Sequence, residues 1–204
     1  MSKSARYVGA CAHLVAALSI VATVGLAAPT AAQGVRGEAT QISNDDIAAA
    51  IQKMGSRPVG EQQLRIVSVN DEYNIGIGVV HHVKPQGDGK PFVVEHSEIT
   101  EILYFISGHG TLISGGSIKD AKEVSPDSEM ASVLSGPSAS GSEIVGGERH
   151  LIEPGDVVII PPNTPHGWAN ISSSDVTYLA IRVDPDRVLP AGLGEKSDRN
   201  PIKP

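Results

Sequence analysis

The stretch from Gly155 to Asn170, GDVVIIPPNTPHGWAN, constrains the fold more than any other part of the chain. It opens on a Gly-Asp turn, runs through four β-branched residues and turns sharply at Pro161-Pro162-Asn163. His166, Trp168 and Asn170 follow at alternate positions. Alternate side chains on a strand share a face, so these three are expected to point together into a cavity. An ordinary β-hairpin with a chance histidine is the plainer alternative.

The rest of the chain has the rhythm of an all-β domain. Strands are expected at Leu64 to Val69, Tyr73 to Val83, Phe92 to His96 and Thr100 to Ser107. A tight turn at Gly108-His109-Gly110 leads into Thr111 to Ser114. Further strands are expected at Glu148 to Ile152 and, to close the domain, at Val176 to Val183. Gly76 and Gly78 mark places where a ligand or another backbone comes close. Ahead of the strands, Ser43 caps a short helix that carries Ile47, Ile51 and Met54 on one face and stops at Gly55. Residues 119–147, rich in Ser, Gly and Pro, read as a surface insertion without recognisable chemistry.

The first 32 residues have the anatomy of a secretory signal peptide. Lys3 and Arg6 precede an apolar run from Leu14 to Ala28, and Thr30-Ala31-Ala32 offers a cleavage site. The run is short and Ala-rich for a membrane anchor. There is no twin arginine, so export as an unfolded chain is expected. The expected divisions are residues 1–32 as signal, 33–62 as an extension with the short helix, 63–185 as the barrel and 186–204 as an irregular tail. Cys11, the only cysteine, leaves with the signal, which excludes disulfide and thiol chemistry from the mature chain. Losing Lys3 and Arg6 shifts the formal charge from -7 to -9, because residues 1–32 contain no Asp or Glu. An acidic chain of this kind argues against a nucleic-acid partner.

The organising stretch resembles the second motif of the cupin superfamily, G-x5-P-x-G-x2-H-x3-N. Gly155, Pro161, His166 and Asn170 match, and Asn163 stands where the family has its second glycine. Asn also tolerates positive φ. The first cupin motif, G-x5-H-x-H-x(3,4)-E-x6-G, is matched at its end by Glu101 and Gly108, and His96 fits its second histidine. Its first histidine would fall at Val94 and its leading glycine at Asp88. The resemblance implies an all-β, antiparallel cupin barrel (a double-stranded β-helix or jelly roll) with the short helix in front.

His96, Glu101 and His166 supply two imidazoles and one carboxylate from strands in the two halves of a closed sheet. Such a set with open positions suits one divalent transition metal: Fe, Mn, Zn, Cu or Ni. A hydrogen-bonded His96–Glu101 pair without metal is the alternative. Glu98 and the tandem His81-His82 are candidates for a fourth ligand, and Glu98 or one of these histidines for acid–base work, with His82 and Glu98 as the catalytic pair expected here. Trp168, Phe105 and His81 are expected to line the substrate pocket. His109 and His150 are not expected to ligate. The resemblance implies a dioxygenase-like metalloenzyme of oxygenase, isomerase or lyase type, acting on a small organic molecule, and a homodimer. The signal peptide implies export to the periplasm or outside the cell, with no stable membrane insertion after cleavage. A non-catalytic cupin that binds a sugar, metabolite or metal is the competing reading.

Overall fold

The computed structural model describes residues 39–86 and 92–194. The expected signal peptide and the end of the tail lie outside the described residues. Among these residues, no helix is long and apolar enough to cross a membrane.

Helix α1, Asn44–Met54, begins with a full capping box: Ser43 Oγ accepts from the Asp46 amide, and Asp46 Oδ2 accepts from the Ser43 amide. Its Ala50 and Met54 pack on Leu64 and Val79, closing one outer face of the sheet. Eleven strands follow: β1 Val59–Val69, β2 Tyr73–Val83, β3 Val93–His96, β4 Thr100–Ser114, β5 Ser117–Lys119, β6 Lys122–Glu123, β7 Ser138–Gly141, β8 Glu143–Val145, β9 Glu148–Ile152, β10 Val157–Ile160 and β11 His166–Asp184. All but β5 and β8 join one antiparallel nine-stranded sheet. Two long strands, β4 and β11, pair with each other along most of their length and bend the sheet into a barrel. The early part of β11 also pairs with β3, and its later part with β2. The barrel core holds Phe105, Trp168, Tyr178, Leu112 and Ile160 among others.

The expected turn at Gly108-His109-Gly110 is absent, and β4 runs straight through it. Gly108 takes φ 88° and is absorbed at an irregularity of register opposite Val176. A second irregularity between Trp168 and Asn170 reverses the alternation. Trp168 therefore stays inside, whereas Asn170 is exposed, contrary to the expectation that it shares the face of His166. The closing strand is also longer than expected, because it begins at His166 instead of Val176.

The insertion at 119–147 departs most from expectation. It carries the last residue of β5, strands β6 to β8 and a π-helical turn, Met130–Leu134. Its β7 pairs with β3 in register Val94↔Ser140 and His96↔Ser138, which makes it a working part of the barrel wall. Past β11, Leu189 is buried against Ile66 and Ile99. Asp184 holds that turn by accepting from the Val188 and Leu189 amides.

Candidate metal centre

His96 ends β3, Glu101 lies at the second position of β4, and His166 opens β11. All three are buried and converge, with ligand atoms within 4.8 Å of one another. Glu101 Oε2 is 3.6 Å from His96 Nε2 and 3.2 Å from His166 Nε2. Ligand atoms around a single ion with bonds near 2 Å sit roughly 3 to 4 Å apart, so these two separations suit one metal.

The hydrogen bonds behind the rings fix which nitrogen faces inward. His166 Nδ1 donates to the Thr164 carbonyl at 3.0 Å, since a carbonyl only accepts. Ser138 Oγ donates to the Gly136 carbonyl at 2.7 Å and so accepts from His96 Nδ1 at 2.8 Å. With Nδ1 so engaged, Nε2 of a neutral ring carries a lone pair. Two imidazole lone pairs and one carboxylate oxygen thus meet with no donor between them. Such a donor set fits a cation, and a metal or a shared proton fills that role.

The other carboxylate oxygen is taken. Glu101 Oε1 accepts from Arg182 Nε at 2.8 Å, leaving Oε2 free as a single ligand atom. Arg182 Nη1 sits 2.5 Å from Glu61 Oε1, an ion pair whose angle falls short of a good hydrogen bond. It also donates to Gln63 Oε1 at 3.3 Å. Gly76 and Gly78 serve this arrangement: a Cβ on Gly78 would come 3.4 Å from Arg182 Nη1, and one on Gly76 would come 3.0 Å from Gln63 Nε2. The close approach expected at these glycines is by side chains. Burial works against the Glu101 carboxylate, but the Arg182 guanidinium beside it holds its pKa well below the usual range. Burial likewise opposes the Arg182 cation, and Glu61 and Glu101 raise its pKa above the ordinary value.

The three groups open onto a cavity of about 310 Å³. Val94, Leu103, Leu112 and Trp168 line it, and the π-helical turn contributes Met130 and Leu134. His82 is buried there, with Nε2 3.1 Å from the Tyr178 hydroxyl. Burial, with the nearby His81 and His166, lowers its pKa to about 4, so it is neutral at ordinary pH. A second cavity of about 620 Å³ adjoins the first and shares His82, Phe92, Trp168 and Val59 with it.

Other expected site residues lie elsewhere. β3 ends at His96, so Glu98 falls in a bend outside the cavity lining. Strand alternation turns His81 away from the cavity, and its Nδ1 meets Thr177 Oγ1 at 3.0 Å. Phe105 is fully buried in the core against Trp168 and Tyr178 instead of lining the pocket. His109 is exposed, and His150 is tied to Ser114 Oγ. Sequence reasoning missed Arg182, Glu61 and Ser138. Arg182 was findable: in β11 it shares the parity of Tyr178 and Ala180, and an arginine on an inward face needs a carboxylate partner.

A family model described as "Cupin domain" matches residues 115–182, which include the second motif and exclude the first. Together with the antiparallel barrel, this match supports the resemblance to the cupin superfamily. Three solved structures illustrate its likenesses. Peruvianin-I, a cysteine peptidase from Thevetia peruviana latex, is 14% identical, with a TM-score of 0.41 over 71% of this chain and 76% of that one. A Bacillus halodurans protein is 11% identical, with a TM-score of 0.41 over 77% and 89%. A cupin protein from Bacteroides fragilis is 20% identical, with a TM-score of 0.33 over 61% and 79%. At these scores the likenesses say nothing about this chain's chemistry. No curated protein matches the sequence.

Proposed function

We propose that the barrel is a metal-dependent cupin that acts as an enzyme on a small organic molecule, by oxygenase, isomerase or lyase chemistry. One observation carries this reading: His96 Nε2, His166 Nε2 and Glu101 Oε2 meet as lone pairs in a buried pocket. A bound divalent ion would supply Lewis-acid polarisation and open positions for the substrate. The chain's own residues do the rest. Arg182 keeps Glu101 ionised and restricts it to one oxygen. His82, neutral and paired with Tyr178, lines the cavity as a proton acceptor. Val94, Leu103 and Trp168 hold the apolar part of the substrate and exclude water.

The proposal includes export, on the strength of residues 1–32, with metal uptake after folding outside the cytoplasm. Zinc or copper would then compete well against iron or manganese. It also includes a homodimer, since the outer face of β4 and β10 exposes Tyr104, Val157 and Ile159. A monomeric mass by light scattering across a wide concentration range would count against the dimer.

Elemental analysis of the exported protein, followed by chelator competition, tests the core of the reading. About one divalent ion per chain is expected, and His166→Ala should lose most of the affinity. An unchanged affinity in that variant would end the metal reading. Metal and ligand binding without turnover would favour the non-catalytic alternative, to which the valine at the first-histidine position also points.

A further inference from the structure

Given the metal reading, we propose that the cavity selects a small organic monoanion with an apolar remainder, a monocarboxylate or an enolate, and that Glu61 sets this preference. The argument begins with the charges. Two arginines, Arg57 and Arg182, and three glutamates, Glu61, Glu101 and Glu129, line the cavity. Arg57 and Glu129 are both outside the buried interior and offset each other formally. Inside, Arg182 is matched against both Glu61 and Glu101, which leaves one negative charge. The imidazoles add none while their inward nitrogens carry lone pairs.

A divalent ion turns that excess into one positive charge. His96, Glu101, His166 and Arg182 are buried, so a net charge left among them is unfavourable, and a ligand of one negative charge restores neutrality. A neutral molecule leaves the positive charge in place, and a dianion overshoots. Arg182 cannot act as a second anion site, because Glu101, Glu61 and Gln63 already occupy it. The anion therefore sits at the open positions of the ion. Around those positions Val80, Val94, Leu103 and Leu112 offer no polar group. The volume of about 310 Å³ lies at the lower end of small-molecule sites, which run from about 300 to 1,000 Å³.

The test uses the full chain loaded with cobalt(II), whose absorption reports ligand binding without turnover. Cobalt stoichiometry is read first: a protein that takes up no cobalt removes the metal reading and this inference together. With cobalt bound, three probes that share a dimethyl-substituted carbon are titrated: isobutyrate, neutral isobutyramide and the doubly charged dimethylmalonate dianion. Isobutyrate should bind at least about tenfold more tightly than either of the others. In Glu61→Gln, Arg182 keeps its bond to Glu101 and the site gains one positive charge. The ratio of dimethylmalonate to isobutyrate affinity should then rise at least about tenfold. Equal binding of isobutyrate and isobutyramide by the parent protein overturns the proposal while leaving the metal reading intact. A ratio that does not move in a folded Glu61→Gln does the same, and the parent ranking alone decides the matter if that variant fails to fold.

Discussion

The two sides of the candidate metal centre are built on different scales. His166 is positioned by its own loop: its Nδ1 bonds to the carbonyl of Thr164, two residues away, and Asn163 takes φ 58° to make the turn. Across the cavity, His96 is oriented by Ser138, 42 residues off, and Glu101 by Arg182, 81 residues off. One side is a local motif that brings its own support. The other is a meeting of distant segments, and most of its support comes from the insertion and the last strand. Damage to the second side should therefore spread, whereas damage to the first should stay contained.

Arg182→Met should show the largest effect. It leaves the Glu101 and Glu61 carboxylates buried without their cation, and breaking a buried pair in this way costs about 3 to 5 kcal/mol. Denaturant unfolding of the metal-free chain measures it, and a loss under about 1 kcal/mol would show the ionic cluster to be dispensable.

His82 belongs to the same distant-contact side, since its Tyr178 partner lies 96 residues away. Its folded pKa of about 4 lies below the ordinary imidazole value of 6.5. Between these values the unfolded chain binds more protons, so stability rises with pH through the window and is lost on acidification. The loss amounts to about 3 kcal/mol by pH 4. Stability curves for the parent and His82→Phe should diverge only between pH 6.5 and 4, and parallel curves would refute the assignment.

Ser138→Ala removes the acceptor that sets the His96 tautomer, and metal affinity should fall roughly 10- to 100-fold. Chelator competition reads the change. Thr164→Ala is the matching substitution on the local side, where the backbone carbonyl does the work. It should alter affinity and stability by no more than about 0.5 kcal/mol. A Thr164→Ala loss as large as that of Ser138→Ala would dissolve the contrast between the two sides.

The same contrast explains what could be read from the sequence. The local side was legible because spacing alone carries it: Gly155, Pro161, Asn163 and His166 stand on one short segment that runs through β10 into the start of β11. Helix α1 was legible through Ser43 and its apolar face. Ser138 was not, because an insertion without period gives no sign that one of its serines will pair beside His96. Gly108 and Asn170 misled for a different reason. Each lies at a register irregularity, and irregularities are settled by the partner strand. The inward arginine at 182 was a visible anomaly, but its partners in β1 and β4 follow only once the sheet is closed.

Strand β11 carries His166, Trp168, Tyr178 and Arg182, and it is also the last strand of the barrel to leave the ribosome. Until residue 166 has emerged Glu101 lacks its second imidazole, and until residue 182 has emerged it lacks its cation. A chain growing from the N-terminus therefore cannot assemble the centre piecemeal, and partly made chains expose a carboxylate and a histidine without their counterparts. The slow step in maturation should be the docking of this strand across most of the domain, because contacts so far apart in sequence form late. Metal capture would then come after the barrel has closed, as a sign that synthesis is complete.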